Sequence, residues 1–164
     1  MANQMIRPAV PGDADTLTRI ALAAKAHWGY SQDLLDLWAA DLAVDPESCD
    51  GESVWVLERD GVIVGFGVVL TEGTTAVLDD LWVDPAHIGH GFGKILFQHL
   101  KSIAVQRGAS RMTIESDPYA EGFYRHMGAR VIGEIASTSL PGRILPLLQV
   151  DLAPPENTTI STER

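Results

Sequence analysis

Cysteine is almost missing from this chain. Cys49 stands alone, so no disulfide can close within it and no four-thiolate metal site can be assembled. A single thiol suits a reducing compartment. Basic residues are also scarce. Twelve Lys and Arg against twenty-two Asp and Glu leave a net charge of −10. Binding nucleic acid requires a Lys/Arg surface to neutralise phosphates, and an anionic membrane requires a polybasic cluster. Neither partner is expected here. The imbalance draws cations instead, protonated amines among them. Long apolar runs are lacking too: the longest, Val62 to Leu70, is too short to cross a bilayer. Met1-Ala-Asn-Gln has neither the basic start nor the apolar stretch of a secretion signal. A cytoplasmic location is the expectation.

What remains is ordinary globular material. An apolar fraction of 46% and a charged fraction of 21% in 164 residues suffice for one core. We expect a single domain over residues 1–153, followed by a polar, unpatterned tail from Pro154 to Arg164. After an extended start at Met5–Pro8, Asp13 is placed to cap a helix with Leu17, Ile20, Ala21 and Ala24 on one face. His27-Trp28-Gly29-Tyr30 interrupts it. Ser31 then caps a second helix whose Leu34, Leu35, Trp38 and Leu42 point inward. Asp60-Gly61 between Val54–Leu57 and Val62–Leu70 is a hairpin signal, and Glu72-Gly73 turns into a third strand, Ala76–Val83. Beyond Pro85 the reading is a helix from about Lys94 to Gln106, a strand at Met112–Ile114 and a helix from Tyr119 to Met127. Two strands close the chain, Val131–Ile135 and Ile144–Val150. This order predicts an α+β (mixed α/β) domain with a largely antiparallel sheet of about seven strands and about four helices.

The segment Gly89-His90-Gly91-Phe92-Gly93 joins a strand to a helix. Glycines let backbone N–H groups approach a phosphate, and the helix N-terminus adds roughly half a positive charge. Two phosphate motifs fail. A Walker A loop requires glycine where Ile88 stands and Ser or Thr where Ile95 stands; a dinucleotide fingerprint requires glycine where Lys94 stands. A tight turn with no ligand is the plainer alternative.

A third phosphate-binding pattern fits this segment. Ile88-Gly89-His90-Gly91-Phe92-Gly93 resembles the pyrophosphate loop of the GNAT superfamily of N-acetyltransferases, Arg/Gln-x-x-Gly-x-Gly/Ala, with Ile88 departing from the first position. Leu81-Trp82-Val83-Asp84-Pro85 is similar to the family's preceding strand end. Downstream, Glu115 to Ala129 is similar to the family's Asn, Ala, Phe-Tyr and Gly-Phe run. Asp117 takes the Asn position, Tyr124 the Tyr and Gly128 the Gly, while Ala129 replaces the aromatic.

The resemblance implies a sheet splayed between the strands of Val83 and Ile114, with acetyl-CoA as acyl donor and no metal. Leu81, Trp82, Val83, Ile88, Gly89, His90, Gly91, Phe92, Gly93, Lys94, Asp117 and Tyr124 are the implied cofactor contacts, Val83 offering an N–H to the thioester oxygen. Tyr124 is the implied proton donor to the departing thiolate, with core packing as its alternative. A lysine-type amine, pKa about 10.4, is neutral in roughly one copy in a few thousand at pH 7, so a base is useful. Asp79 and Asp80 are the candidates. Asp79 shares a face with Leu81 and Val83 if the strand is unbroken; a bulge swaps the two. Asp80 is then left to the acceptor, together with His27, Trp28 and Tyr30, whose aromatic rings suit an amine. Arg143, in the turn Pro141-Gly142-Arg143, is read as solvated, or as meeting an acceptor carboxylate. His87, His90, His99 and His126 have no metal-ligand spacing. The expected function is transfer of an acetyl group to a primary amine of a small molecule or protein. A non-catalytic acyl-CoA sensor on the same fold is the alternative, and the resemblance leaves room for a homodimer.

Overall fold

The structure, a computed structural model, describes residues 3–152; the tail expected from Pro154 lies outside that range. In chain order the elements are β1 (Gln4–Pro8), α1 (Ala14–His27), α2 (Gln32–Leu42), β2 (Val54–Arg59), β3 (Val62–Glu72) and β4 (Thr75–Val83). There follow α3 (Phe92–Gln106), β5 (Arg111–Glu115), α4 (Glu121–His126), β6 (Arg130–Ala136) and β7 (Ile144–Asp151). The strands form one seven-stranded sheet in the order β1-β2-β3-β4-β5-β7-β6. Every pairing is antiparallel except β4 with β5. That one parallel step needs a crossover, which α3 provides. The α+β architecture read from the sequence is the one observed.

Strand alternation sorts the core onto two faces. Val54 and Val56 of β2 and Phe66 of β3 pack with Leu17, Ile20 and Ala21 of α1. Leu57 and Val64 look the other way, onto Phe92 and Leu96 of α3. The hairpin between β2 and β3 turns on Asp60 and Gly61, both at positive φ (51° and 81°), as a type I′ turn requires. Two glycines of β3 let α3 approach the sheet. A Cβ on Gly65 would stand 2.8 Å from the Trp82 carbonyl oxygen and 3.1 Å from Leu96, and one on Gly67 would collide with Leu100.

Three local expectations change. Asp13 precedes α1 but does not cap it with its side chain. Its carboxylate accepts from the Val10 N–H and from the Arg7 guanidinium, because Pro11–Asp13 forms a 3-10 turn first. Ser31 does cap α2, accepting from the Leu34 N–H at 3.3 Å, yet only Trp38 of that helix is buried. The run after Pro118 begins as a 3-10 turn, Pro118–Ala120, before α4. No described helix is long and apolar enough to cross a membrane.

Candidate active site

β4 and β5 run together for only three residue pairs, Thr75–Val77 with Arg111–Thr113. Beyond these they part. Leu78–Val83 keeps its β3 partners on one side only, so the backbone groups of that stretch that point away from β3 face a gap. Unpaired backbone polar groups away from bulk water call for a partner. The gap opens into a cleft of about 400 Å³, lined from β4 by Leu78 to Val83 and from the end of β5 and the residues that follow it by Ile114 to Asp117. α4 adds Phe123 and Tyr124, α1 adds Lys25 and the residue after it adds Trp28, and the β6–β7 turn adds Ser137–Ser139 and Arg143.

The glycine turn stands at one mouth of this gap. Asp84, buried, accepts from the Ala86 N–H at 3.1 Å and pairs with Arg19 at 3.2 Å. It thereby fixes the 3-10 turn Pro85–His87 that ends β4. Gly89 and Gly91 adopt positive φ, 92° and 76°, and open space surrounds the Cβ position of each. Gly91 is the N-cap of α3. The helix therefore begins at Phe92, two residues before the expected Lys94. Its first-turn N–H groups have no intrahelical carbonyl to meet. They point outward with the positive end of the helix dipole behind them. Phe92 buries its ring in the core, and Ile88 and Lys94 are exposed. Gly93 lines the cleft.

The two acidic residues of β4 separate as a bulged strand dictates. Val68 pairs with Asp80 and Val69 with Leu78, which leaves Asp79 as the extra residue. The unbroken strand that favoured Asp79 is thus not what the chain adopts. Asp79 is exposed, whereas Asp80 is largely buried and accepts from Trp82 Nε1 at 2.9 Å. Burial raises the Asp80 carboxyl from 3.8 to about 6; the Trp82 hydrogen bond opposes the rise and the neighbouring Asp79 charge adds to it. Both side chains line the cleft.

Tyr124 belongs to the core and to the cleft wall at once. Its ring packs beside Phe97 and Phe123, with centroids 5.9 and 5.2 Å away, and it also lines the cleft. Burial first, and then the Asp80 charge, hold its hydroxyl well above the usual 10.0. It stays protonated at any working pH.

Asp117, expected against the cofactor, is occupied from three directions at the opposite end. One oxygen accepts from Lys25 Nζ at 2.6 Å and Arg143 Nη2 at 3.1 Å, the other accepts from the Tyr119 N–H at 2.9 Å, and Tyr30 OH lies 3.0 Å from each. Arg143 is not solvated: its side chain is 16% exposed, it stacks over Trp38 at 4.7 Å and it donates to Tyr30 OH at 2.7 Å. Burial works against the charge on Asp117, yet Lys25 and the Tyr119 N–H outweigh it and hold the carboxyl below 3.8. Burial lowers the Lys25 ammonium from 10.5 although Asp117 supports it. The same burial raises Tyr30 to about 12. Trp28 stacks on Tyr119 at 6.0 Å and tilts against Trp82 at 5.6 Å. Of the four residues assigned to the acceptor, Trp28 and Asp80 line the cleft and Tyr30 sits behind it. His27 is exposed and outside the lining, because the last turn of α1 points it to solvent.

Residues 18–129 match the Acetyltransferase (GNAT) family. The chain belongs to the GNAT acetyltransferase family. Within reach of it lies the peptidyl-lysine N-acetyltransferase YjaB of Salmonella typhimurium, 36% identical over 98 residues. That match covers 59% of this chain and 63% of YjaB, so the chain spans less than two thirds of this relative's length. A GCN5-related N-acetyltransferase from Rhodopseudomonas palustris superposes with a TM-score of 0.76 at 24% identity, over 92% of this chain and 96% of that one. The PaiA N-acetyltransferase of Thermoplasma acidophilum, solved in complex with coenzyme A, gives a TM-score of 0.69 at 17% identity, over 91% and 99% of the two chains. The last two establish a shared GNAT fold. Sequence reasoning missed Lys25 at this GNAT cleft. The signal was present: Lys25 follows Ala21 by four residues on the inward stripe of α1, where a charge needs a buried partner.

Proposed function

We propose that this chain is an N-acetyltransferase that moves the acetyl group of acetyl-CoA onto a primary amine held in the cleft. The observation that carries this reading is the parting of β4 and β5 directly beside the glycine turn. The residues present fit acetyl-CoA. Outward N–H groups from Gly89 to Lys94 suit its pyrophosphate, and the unpaired backbone of Leu81 and Val83 suits the amides of its pantetheine arm. Acetyl-CoA, when bound, supplies an acetyl group on a thioester. The Val83 N–H is assigned to the thioester oxygen, where negative charge develops. Asp80, rather than Asp79, is assigned as the base: a carboxylate titrating near 6 is ionised at neutral pH and strong enough to take a proton from the attacking nitrogen. Tyr124, protonated throughout, is assigned as donor to the departing sulfur. One C–N bond forms and one C–S bond breaks; a proton leaves nitrogen toward Asp80 and a proton reaches sulfur from Tyr124.

The test is release of CoA thiol from acetyl-CoA in the presence of a panel of primary amines, with thermal denaturation measured alongside. A ligand specific for the folded state raises the melting temperature by mass action. Thiol release that depends on the amine, together with a rise on adding acetyl-CoA, is expected. No release with any amine and no rise would refute the reading.

A further inference from the structure

The cleft carries opposite charges at its two ends. Asp79, Asp80 and Glu115 line the end where β4 and β5 part; Lys25 and Arg143 line the other, beside Ser137 and Ser139. At that second end two basic side chains share one carboxylate, Asp117. Asp117 is saturated, since it also accepts from Tyr30 OH and the Tyr119 N–H. Arg143 is not. Among the described residues both of its side-chain hydrogen bonds, to Tyr30 OH and to Asp117, leave through Nη2, although a guanidinium has five N–H donors in a fork matched to a carboxylate. The Ser137 and Ser139 hydroxyls lie 3.1 Å apart next to it, and the Ser137 N–H donates to the Arg143 carbonyl at 2.8 Å, which ties the turn together. Trp28, Trp82 and Tyr119 wall the space and reduce the screening of any ion pair formed there.

We propose that the acceptor is a small amino-carboxylic acid, its carboxylate docked on Arg143 and Lys25 beside Ser137 and Ser139 and its amine presented to Asp79 and Asp80. The proposal rests on the acetyltransferase reading and adds the substrate class to it. A net charge of −10 repels a simple anion from the protein and attracts a simple amine. A zwitterion is steered by neither, and it alone satisfies both ends of the cleft at once. The cleft, about 400 Å³, must also admit the thioester end of the donor, which leaves room for a free amino acid.

The experiment pairs each standard L-amino acid with its C-terminal amide, in which the carboxylate is gone and the amine kept. CoA thiol release is followed at saturating acetyl-CoA. A lysine peptide blocked at both ends serves as the macromolecular comparison. For the best acceptors the acid is expected to exceed its amide in kcat/KM by about 10- to 100-fold, the range for a charge-assisted hydrogen-bonded pair. Arg143→Gln should raise the KM of the acid by a similar factor and leave that of the amide nearly unchanged. Arg143→Lys should restore part of the difference. The melting-temperature rise with acetyl-CoA reports that each variant still folds and binds donor. Should no acceptor turn over, the acid and amide are compared by quenching of tryptophan fluorescence, and the same preference is expected. Amides or the blocked peptide equal to or better than the acids would overturn the carboxylate assignment while leaving the acetyltransferase reading intact. Equal weakening of acid and amide by Arg143→Gln would overturn it as well.

Discussion

Asp80→Asn separates the chemistry of the site from the stability of the fold. The substitution keeps the shape of the side chain and an Oδ1 that can accept from Trp82 Nε1, now 2.9 Å from the Asp80 carboxylate. It removes a charge that burial disfavours. The Asp80 carboxyl is raised in the folded protein from 3.8 to about 6, so the folded state holds this proton more tightly than the unfolded state does. Below the unfolded value both states are protonated and the residue is neutral to stability. As pH climbs from about 4 through about 6 the unfolded chain ionises first, and the native state loses stability until both are ionised. At about 1.36 kcal/mol per pKa unit the loss above pH 6 is about 1–3 kcal/mol. Asp80→Asn should recover it. At pH 8 the melting temperature should rise by about 2–4 °C for each kcal/mol, and the gain should vanish near pH 4. Turnover at pH 8 should fall by about 10²-fold or more. With an acceptor amine of low pKa, the wild-type rate should increase as pH passes about 6 and the variant should lack that limb. The assays are calorimetric melting from pH 4 to 8 and thiol release over the working range. Unchanged turnover together with a melting gain that ignores pH would refute the assignment of Asp80 as a buried base.

Tyr124→Phe keeps the ring against Phe97 and Phe123 and deletes only the hydroxyl; turnover should drop about 10²-fold while the acetyl-CoA-induced melting shift persists, and activity within twofold of wild type would return Tyr124 to a packing role. Gly91→Val forces a β-branched residue to φ near 76° and covers the amides of the α3 N-terminus; it should lower stability by about 1–2 kcal/mol and abolish the acetyl-CoA melting shift. A shift that survives would place the phosphates elsewhere. Asp117→Ala leaves Lys25 and Arg143 buried without their shared carboxylate, and chemical denaturation should record a loss of about 3–5 kcal/mol. A loss below about 1 kcal/mol would mean that the two cations reach water or another anion.

Much of this protein is local and was therefore readable in one dimension. Asp60-Gly61 makes a type I′ hairpin because both residues accept positive φ. Ser31 caps α2 because its hydroxyl reaches an N–H three residues on. Gly89 and Gly91 mark the strand-to-helix turn because the backbone there enters the left-handed region. Such features depend on a handful of consecutive residues, and the glycine turn with the Tyr124 segment sufficed to suggest the family. Only the tertiary structure decided how the two carboxylates of β4 differ: both line the cleft, but Asp79 is exposed while Asp80 accepts from Trp82 Nε1. A bulge at Asp79 opposite Val68 and Val69 interrupts the period-two alternation, and a bulge is set by pairing with another strand. The partners of Asp117 were equally out of reach. Lys25 and Tyr30 lie ninety-two and eighty-seven residues away and Arg143 twenty-six, brought together only when α1, the end of β5 and the β6–β7 turn meet over one end of the sheet. Charge on a surface can be counted from the sequence; charge inside a cleft depends on which side chains the fold removes from water, because burial there decides both the pKa and the partner.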